Sequence, residues 1–382
     1  MMNLTDESSS LSDTTAETFN TVVLTTLNTL TVIDQATLTV IDKAELTIID
    51  KSTLTIIDTL FSCVLVNVLA VLGSIGNVIN VIVLSHHGFG DSTNILLLAM
   101  SSVDLVFLVT SIPKRFVCIL SKFDLYQSLV LNSYVTTSIW MPNRFCGLVS
   151  SGLVTFISLE RFIAVHFPLR VSRIITPGRT LSAVVSLFLF WALLSGPFFA
   201  LYSIEWMQDP ASNLTLPTIV LADFISKDPE SFNILNVTLA VIRGPVSVSL
   251  IIISSLAISF RLYITTRKMS KGQSLPRSNR DVRVVKMLLV VTSVYAVIGI
   301  PLSVPYIMYY VYPESSINPD GTLKNIAILL EIVNDLLYVV NASINFVIYV
   351  TMSKKFYNTY RRKFVRCRCV WVFKQLVPMD VL

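Results

Sequence analysis

The chain has 382 residues, of which 53% are hydrophobic and only 14% charged. A soluble domain usually carries about 25% charged residues, so an ordinary soluble core is excluded and a bilayer is the expected solvent. The net charge of +5 does not point to nucleic acid, because the basic residues fall between long apolar runs and form no solvated basic face.

Residues 1–20 are polar and acidic, so the first apolar helix is expected to direct its own insertion. Residues 29–58 repeat with a period of eight, as TLTVIDQA, TLTVIDKA, ELTIIDKS and TLTIIDTL, with aspartates at 34, 42, 50 and 58. A helical stripe drifts by ~80° per eight residues, whereas an even period keeps one face in a strand. Four such repeats without turn residues build no core, so a loosely ordered tether is favoured over a small β-rich ectodomain. Residues 1–58 therefore read as an extracellular low-complexity tail, 59–353 as a membrane domain and 354–382 as an amphipathic helix with a cytoplasmic tail.

A bilayer core of about 30 Å takes roughly 20 apolar residues as helix. Runs 59–85, 180–204 and 287–313 meet that length without a charge. Runs 92–113 (with Asp104), 137–160 (Arg144), 231–260 (Arg243) and 325–353 (Glu331, Asp335) meet it with polar exceptions. The predicted fold is all-α, a seven-transmembrane helix bundle with a short amphipathic eighth helix. Twenty of the 29 basic residues lie in segments 161–179 and 261–286 and in the tail after Tyr349. By the positive-inside rule that side is cytoplasmic and the N-terminus is outside. The sequons at Asn3, Asn213 and Asn236 fit this topology, although Asn236 is close to the membrane.

An ionisable residue inside a span is costly and points to function. Asp104, Asn77, Ser150, Asn341 and Asn345 fall at similar depth on four spans. Asp104, Ser150, Asn341 and Asn345 offer oxygen donors for a sodium ion; a neutral Asp104 that only joins helices is the competing reading. Glu160 and Arg161 close the third span, where Arg161 can latch to Asp281 at the foot of the sixth or simply snorkel at the boundary. Toward the outside, Lys114, Arg115, Asn143, Arg144, Arg243, Glu331 and Asp335 suggest a polar ligand pocket, unless these charges only pair with one another at the water boundary.

These residues together resemble the rhodopsin-like (class A) G-protein-coupled receptors over about 60–367. The first span has Gly76-Asn77, and the second has Asn94, Asp104 and Pro113 in order. The third ends SLERFIAVHFPLRV, similar to the Asp/Glu-Arg-Tyr signature. Trp191, Pro245 and Pro301 match spans four to six, and NASINFVIY resembles the Asn-Pro-x-x-Tyr signature. The wording of GFGDSTNILLLAMSSVD and NFVIY is most similar to molluscan and other invertebrate orphan receptors of chemosensory type. The resemblance implies a receptor of the plasma membrane that binds an extracellular small molecule or peptide and activates a heterotrimeric G protein. A neuropeptide receptor of the same fold is the alternative to the chemosensory reading. It further implies that Arg161 contacts the G protein with Asp281 restraining it at rest, and that Tyr349 is a switch tyrosine. Asp104, Ser150, Asn341 and Asn345 would form an allosteric sodium pocket, and Cys367 and Cys369 would be palmitoylated.

Several positions depart from that pattern. The usual disulfide cysteine of the third helix is replaced by Thr136, and residues 197–245 hold no cysteine. Cys118 and Cys146 lie at different depths, so no structural disulfide is expected. Gly299 stands in place of the sixth-helix tryptophan, Tyr295 of a phenylalanine, Ile253 of a tyrosine and Phe346 of the seventh-helix proline. Asn143 replaces the aspartate of amine receptors, which argues against a biogenic amine. A transporter or channel would favour repeats among the spans or rings of charge, and neither is present in the sequence. An enzyme is not expected either, since His86, His87 and His166 have no metal-ligand spacing and no nucleophile motif beside them.

Overall fold

The computed structural model describes residues 50–208, 214–270, 285–300 and 324–365. Among the described residues, six helices are long and apolar enough to cross a membrane. They are α1 (Ser52–His87), α2 (Ser92–Leu120), α3 (Leu125–His166), α4 (Pro177–Ala200), α5 (Pro229–Ile264) and, after α6, α7 (Lys324–Met352). The described part of α6, Val285–Ile300, is apolar but shorter. A short helix α8 (Lys354–Tyr360) follows α7. This is the all-α bundle that the apolar runs predict.

Large apolar side chains point outward all along the bundle, among them Leu193, Leu256, Phe260 and Val297. A lipid-facing surface needs no polar coat, because hydrocarbon solvates these side chains as well as a core does. The interior is joined instead by close approaches and buried polar groups. A Cβ at Gly73 would lie 2.1 Å from Ser343 Oγ, so glycine lets α1 touch α7. A Cβ at Gly152 would lie 2.8 Å from Trp191 Nε1, which is how the buried Trp191 of α4 seats against α3.

The helix ends have identifiable causes. Asp50 caps α1 by accepting from Thr53 N at 3.1 Å, and its bonds to Thr53 hold its carboxyl below the usual carboxylate range. The last repeat of the N-terminal tract is therefore helical and continuous with the first span, where the sequence reading ends the tail at 58. Asp124 caps α3 through Gln127 N at 3.0 Å. That cap starts α3 at Leu125, twelve residues ahead of the predicted 137, adding ~18 Å of helix at its N-terminal end. Pro245 sits in a π-turn, Ile242–Val246, within α5. Proline lacks an amide donor, and Ser247 Oγ donates to Ile242 O at 2.8 Å beside it.

The predicted fourth run, 180–204, breaks at Gly196-Pro197, where the helix tightens to a 3-10 turn. The chain then forms an antiparallel hairpin of β1 (Tyr202–Gln208) and β2 (Thr215–Leu221), with Tyr202 opposite Leu221 and Gln208 opposite Thr215. β2 is held to the outer part of α3, where Ser133 Oγ donates to Pro217 O at 3.4 Å.

The expectation of no structural disulfide is corrected. Cys63 of α1 and Cys118 of α2 are bonded, with their Cα atoms 5.8 Å apart, inside the usual range. The sequence comparison weighed Cys118 only against Cys146, which is a free, buried thiol. Because α2 continues past Pro113 to Leu120, Cys118 comes level with Cys63 near the N-terminal end of α1. The bond closes a loop of 55 residues, and cross-links of this kind stabilise by about 2–4 kcal/mol. Replacing both cysteines with serine is expected to lower the melting temperature of the purified protein accordingly, while Cys146→Ser leaves it nearly unchanged. Peptide mapping without reductant should recover a linked Cys63–Cys118 pair.

Candidate functional site

Three groups of polar residues lie along the bundle, from its centre to its two ends. At the centre, Asp104 of α2 is buried, with 1% exposure. Its Oδ1 accepts from Ser150 Oγ of α3 at 2.8 Å and its Oδ2 from Asn345 Nδ2 of α7 at 2.7 Å. Asn341 lies one turn from Asn345 and is also buried. Asn77 of α1 donates to Ala342 O at 2.8 Å and Asn80 donates to Asn77 Oδ1 at 3.3 Å. Four helices thus meet in one polar layer. Ser101, a turn from Asp104, has a buried hydroxyl with no hydrogen-bond partner among the described residues. A carboxylate, two hydroxyls and two amides are a donor set that suits a hard monovalent cation.

Toward the end of α3 that carries His166, Arg161 Nη2 bonds Glu160 Oε1 at 2.8 Å and Thr93 Oγ1 of α2 at 2.9 Å. Arg161 Nε and Glu160 Oε2 are buried and unmatched among the described residues. Asp281, its expected latch partner, lies outside the described residues, as do Cys367 and Cys369. Tyr349 is buried at the foot of α7, its hydroxyl 4.0 Å from Met100 Sδ and its ring edge-on to Phe356 of α8. Phe346 packs against both Phe356 and Tyr360. α8 is fastened to α1 by His87 Nε2, 3.0 Å from Thr359 Oγ1.

At the opposite end, a cleft is lined by residues of α3, α5, α6 and α7. Arg144 and Arg243 line it with Tyr295, Gly299 and Tyr338. Its empty space, open mouth included, is about 400 Å³. The Arg144 guanidinium lies 5.3 Å from the ring centres of Trp140 and Phe198 and donates to Asn236 Oδ1 at 2.6 Å. Arg243 stacks on Tyr338 at 4.3 Å. Gly299 carries no side chain for a good reason, since a Cβ there would meet Val248 Cγ2 at 2.7 Å.

The other expected pocket residues lie elsewhere. Asn143 faces α2, where its amide nitrogen reaches Phe107 O at 2.9 Å, Thr110 Oγ1 at 3.0 Å and Ser111 Oγ at 2.9 Å. Asp335 pairs with Arg115, with Lys114 Nζ at 3.9 Å, and Glu331 is exposed one turn away. Ile253 points outward with 64% exposure, so it fills no part of the interior. Sequence reasoning missed Tyr338 and Thr93. Both belong to contacts between helices, which no periodicity within one helix reveals. Asn236 is the acceptor for Arg144, so its amide faces the bundle and not the outside.

A sequence model described as 7 transmembrane receptor (rhodopsin family) matches residues 76–349. Similar curated proteins include neuromedin-U receptor 2 of Mus musculus, 23% identical over 81% of this chain and 76% of the relative. Growth hormone secretagogue receptor type 1 of Sus scrofa is 24% identical over 75% and 76%. FMRFamide peptide receptor frpr-18 of Caenorhabditis elegans is 26% identical over 78% and 68%.

The geometry separates two roles for Asn143. As a joint between α3 and α2, its replacement by alanine is expected to lower stability by about 1–3 kcal/mol, the range for leaving buried polar groups unmatched. The measurement is thermal unfolding of the purified protein. An unchanged melting temperature would contradict the assignment.

Proposed function

Because the chain belongs to the rhodopsin family of seven-transmembrane receptors, we propose that this multi-pass membrane protein is a peptide receptor of the plasma membrane. Its N-terminus is extracellular, and ligand binding at the outer cleft promotes activation of a heterotrimeric G protein at the cytoplasmic end. The chain supplies no covalent chemistry in this reading. The observation that carries the peptide reading is the kind of relative the chain matches: receptors named for neuromedin U and FMRFamide, each aligned over more than three quarters of this chain. They favour a neuropeptide ligand over the chemosensory one suggested by short stretches of wording.

Arg144 and Arg243 are the inner ligand contacts, and Lys114, Glu331 and Asp335 form a separate charged group that would meet the ligand outside the cleft. Glu160, Arg161, Asp281 and Tyr349 make the coupling switch. Arg161 is restrained at rest by Glu160 and Thr93, and release of those bonds frees its guanidinium for the G protein. A sodium ion at Asp104, Ser150, Asn341 and Asn345 would favour the resting arrangement by binding it more tightly than the active one. Lipids on Cys367 and Cys369 would add to the attraction of the basic tail for the inner leaflet.

The test is a panel of neuropeptides on cells that express the full chain with activation sensors for each G-protein class. At least one peptide is expected to give a signal that Arg161→Ala removes at equal surface expression. Responses to small odorants alone would return the ligand to the chemosensory class. A signal undiminished by Arg161→Ala would contradict the coupling role.

A further inference from the structure

Among the described residues, one place brings three metal-ligating side chains into a single cluster. The carboxylate of Asp58 and the sulfurs of Cys63 and Cys118 lie within 4.8 Å of one another, where α1 meets the last turn of α2. The local helix geometry makes this possible. In a regular α-helix two residues five apart, as Asp58 and Cys63 are, would point about 140° away from each other. Thr59–Leu65 is instead a π-turn, whose repeat runs from residue i to i+5. It stacks Cys63 on Asp58, with Cys63 Sγ 3.7 Å from the Asp58 carbonyl oxygen. Cys118 comes to the same spot from α2. The Arg115 guanidinium, paired with Asp335, is close enough to Asp58 to interact with its charge.

From this cluster we propose that the tie between α1 and α2 has a second state: when the disulfide is reduced, Asp58, Cys63 and Cys118 bind a zinc ion. The two sulfurs become thiolate ligands, and Asp58, which has no part in the disulfide, supplies the third. Three protein ligands with water in the fourth position is an established zinc arrangement, and thiolate donors select zinc over magnesium or calcium. Two thiolates and a carboxylate leave one excess negative charge on the zinc centre, which Arg115 offsets. The reductant is a small thiol of the glutathione class. Its thiolate attacks the sulfur of Cys118, which is partly exposed where Cys63 is buried, and Cys63 leaves as a thiolate. A second small thiol attacks the first one's sulfur in the mixed disulfide, which releases Cys118 and forms the small-molecule disulfide. Both electrons come from the small thiols, their two protons pass to the cysteines, and zinc displaces those protons on binding. The metal then restores the link between the helices that reduction removed. The site is independent of the receptor reading.

The experiment uses the purified full chain in lipid nanodiscs, with Cys146, Cys367 and Cys369 replaced by serine so that only the one cysteine pair remains. The pair is reduced with a small thiol, the thiol is removed, and cobalt(II) is added as the probe, because thiolate ligation gives it a charge-transfer band. The reduced chain is expected to take up one cobalt with that band and to release it to zinc; the oxidised chain is expected to show no band. Asp58→Ala is expected to weaken the metal by at least about tenfold, the loss that even outer-shell partners of a metal produce. The second readout is made on the native chain, so a variant that fails to fold does not decide the matter. There, zinc is expected to raise the melting temperature of the reduced form toward that of the oxidised form and to leave the oxidised form unchanged. No thiolate band in the reduced chain, a band of equal affinity in Asp58→Ala, or equal zinc shifts in both redox forms would overturn the proposal.

Discussion

A carboxylate in the middle of a bilayer-spanning bundle must be met by donors, because neither lipid nor apolar side chains solvate it. Asp104 is met twice, by Ser150 of α3 and Asn345 of α7. Those two bonds fix the rotation and depth of three helices relative to one another. The remaining layer follows from that register. Asn77 reaches Ala342 O only because α7 is held with Asn345 inward, and Gly73 admits Ser343 at the same contact. One turn beyond Asn345, the same face of α7 buries Tyr349 against Met100 and Phe356. The polar centre and the packing around Tyr349 are therefore parts of one continuous arrangement.

The departures from the family pattern are compensated locally. The outer end of α2 is fastened to α1 through Cys63 and Cys118, while α3 has no cysteine there. The hairpin is instead seated on the lengthened α3 by Ser133 and by Tyr202 packing edge-on to Trp140. The absent sixth-helix tryptophan has no vacant place waiting for it. Val248 occupies that approach, and Tyr295 lies within 4 Å of it. Phe346, in place of proline, packs on the side chains of α8 and sits under Gly76.

Much of this was legible in the residues. The apolar runs locate the spans, and the buried acid with its serine and asparagine partners can be read from their shared depth. What could not be read has physical causes. The outer turns of α3 carry Gln127, Asn132, Ser133 and Thr136, a loop-like composition that becomes helical through the Asp124 cap and packing under the hairpin. The disulfide was missed because helix ends, not cysteine spacing, decide which sulfurs come level. Asn143 looked like a ligand group by position, yet its direction is set by α2 acceptors that sequence spacing does not reveal. Tyr338 could have been suspected, since it is an amphipathic side chain on the same face of α7 as Asn341 and Asn345.

The central claim is that Asp104 and Asn345 act as one unit joining α2 to α7. A double-mutant cycle on thermal or denaturant unfolding in detergent tests it most directly, with Asp104→Ala, Asn345→Ala and the pair. A coupling energy of about 1–3 kcal/mol is predicted, as for contacting residues in one hydrogen-bonded network. Additivity to within about 0.5 kcal/mol, the behaviour of independent sites, would contradict it.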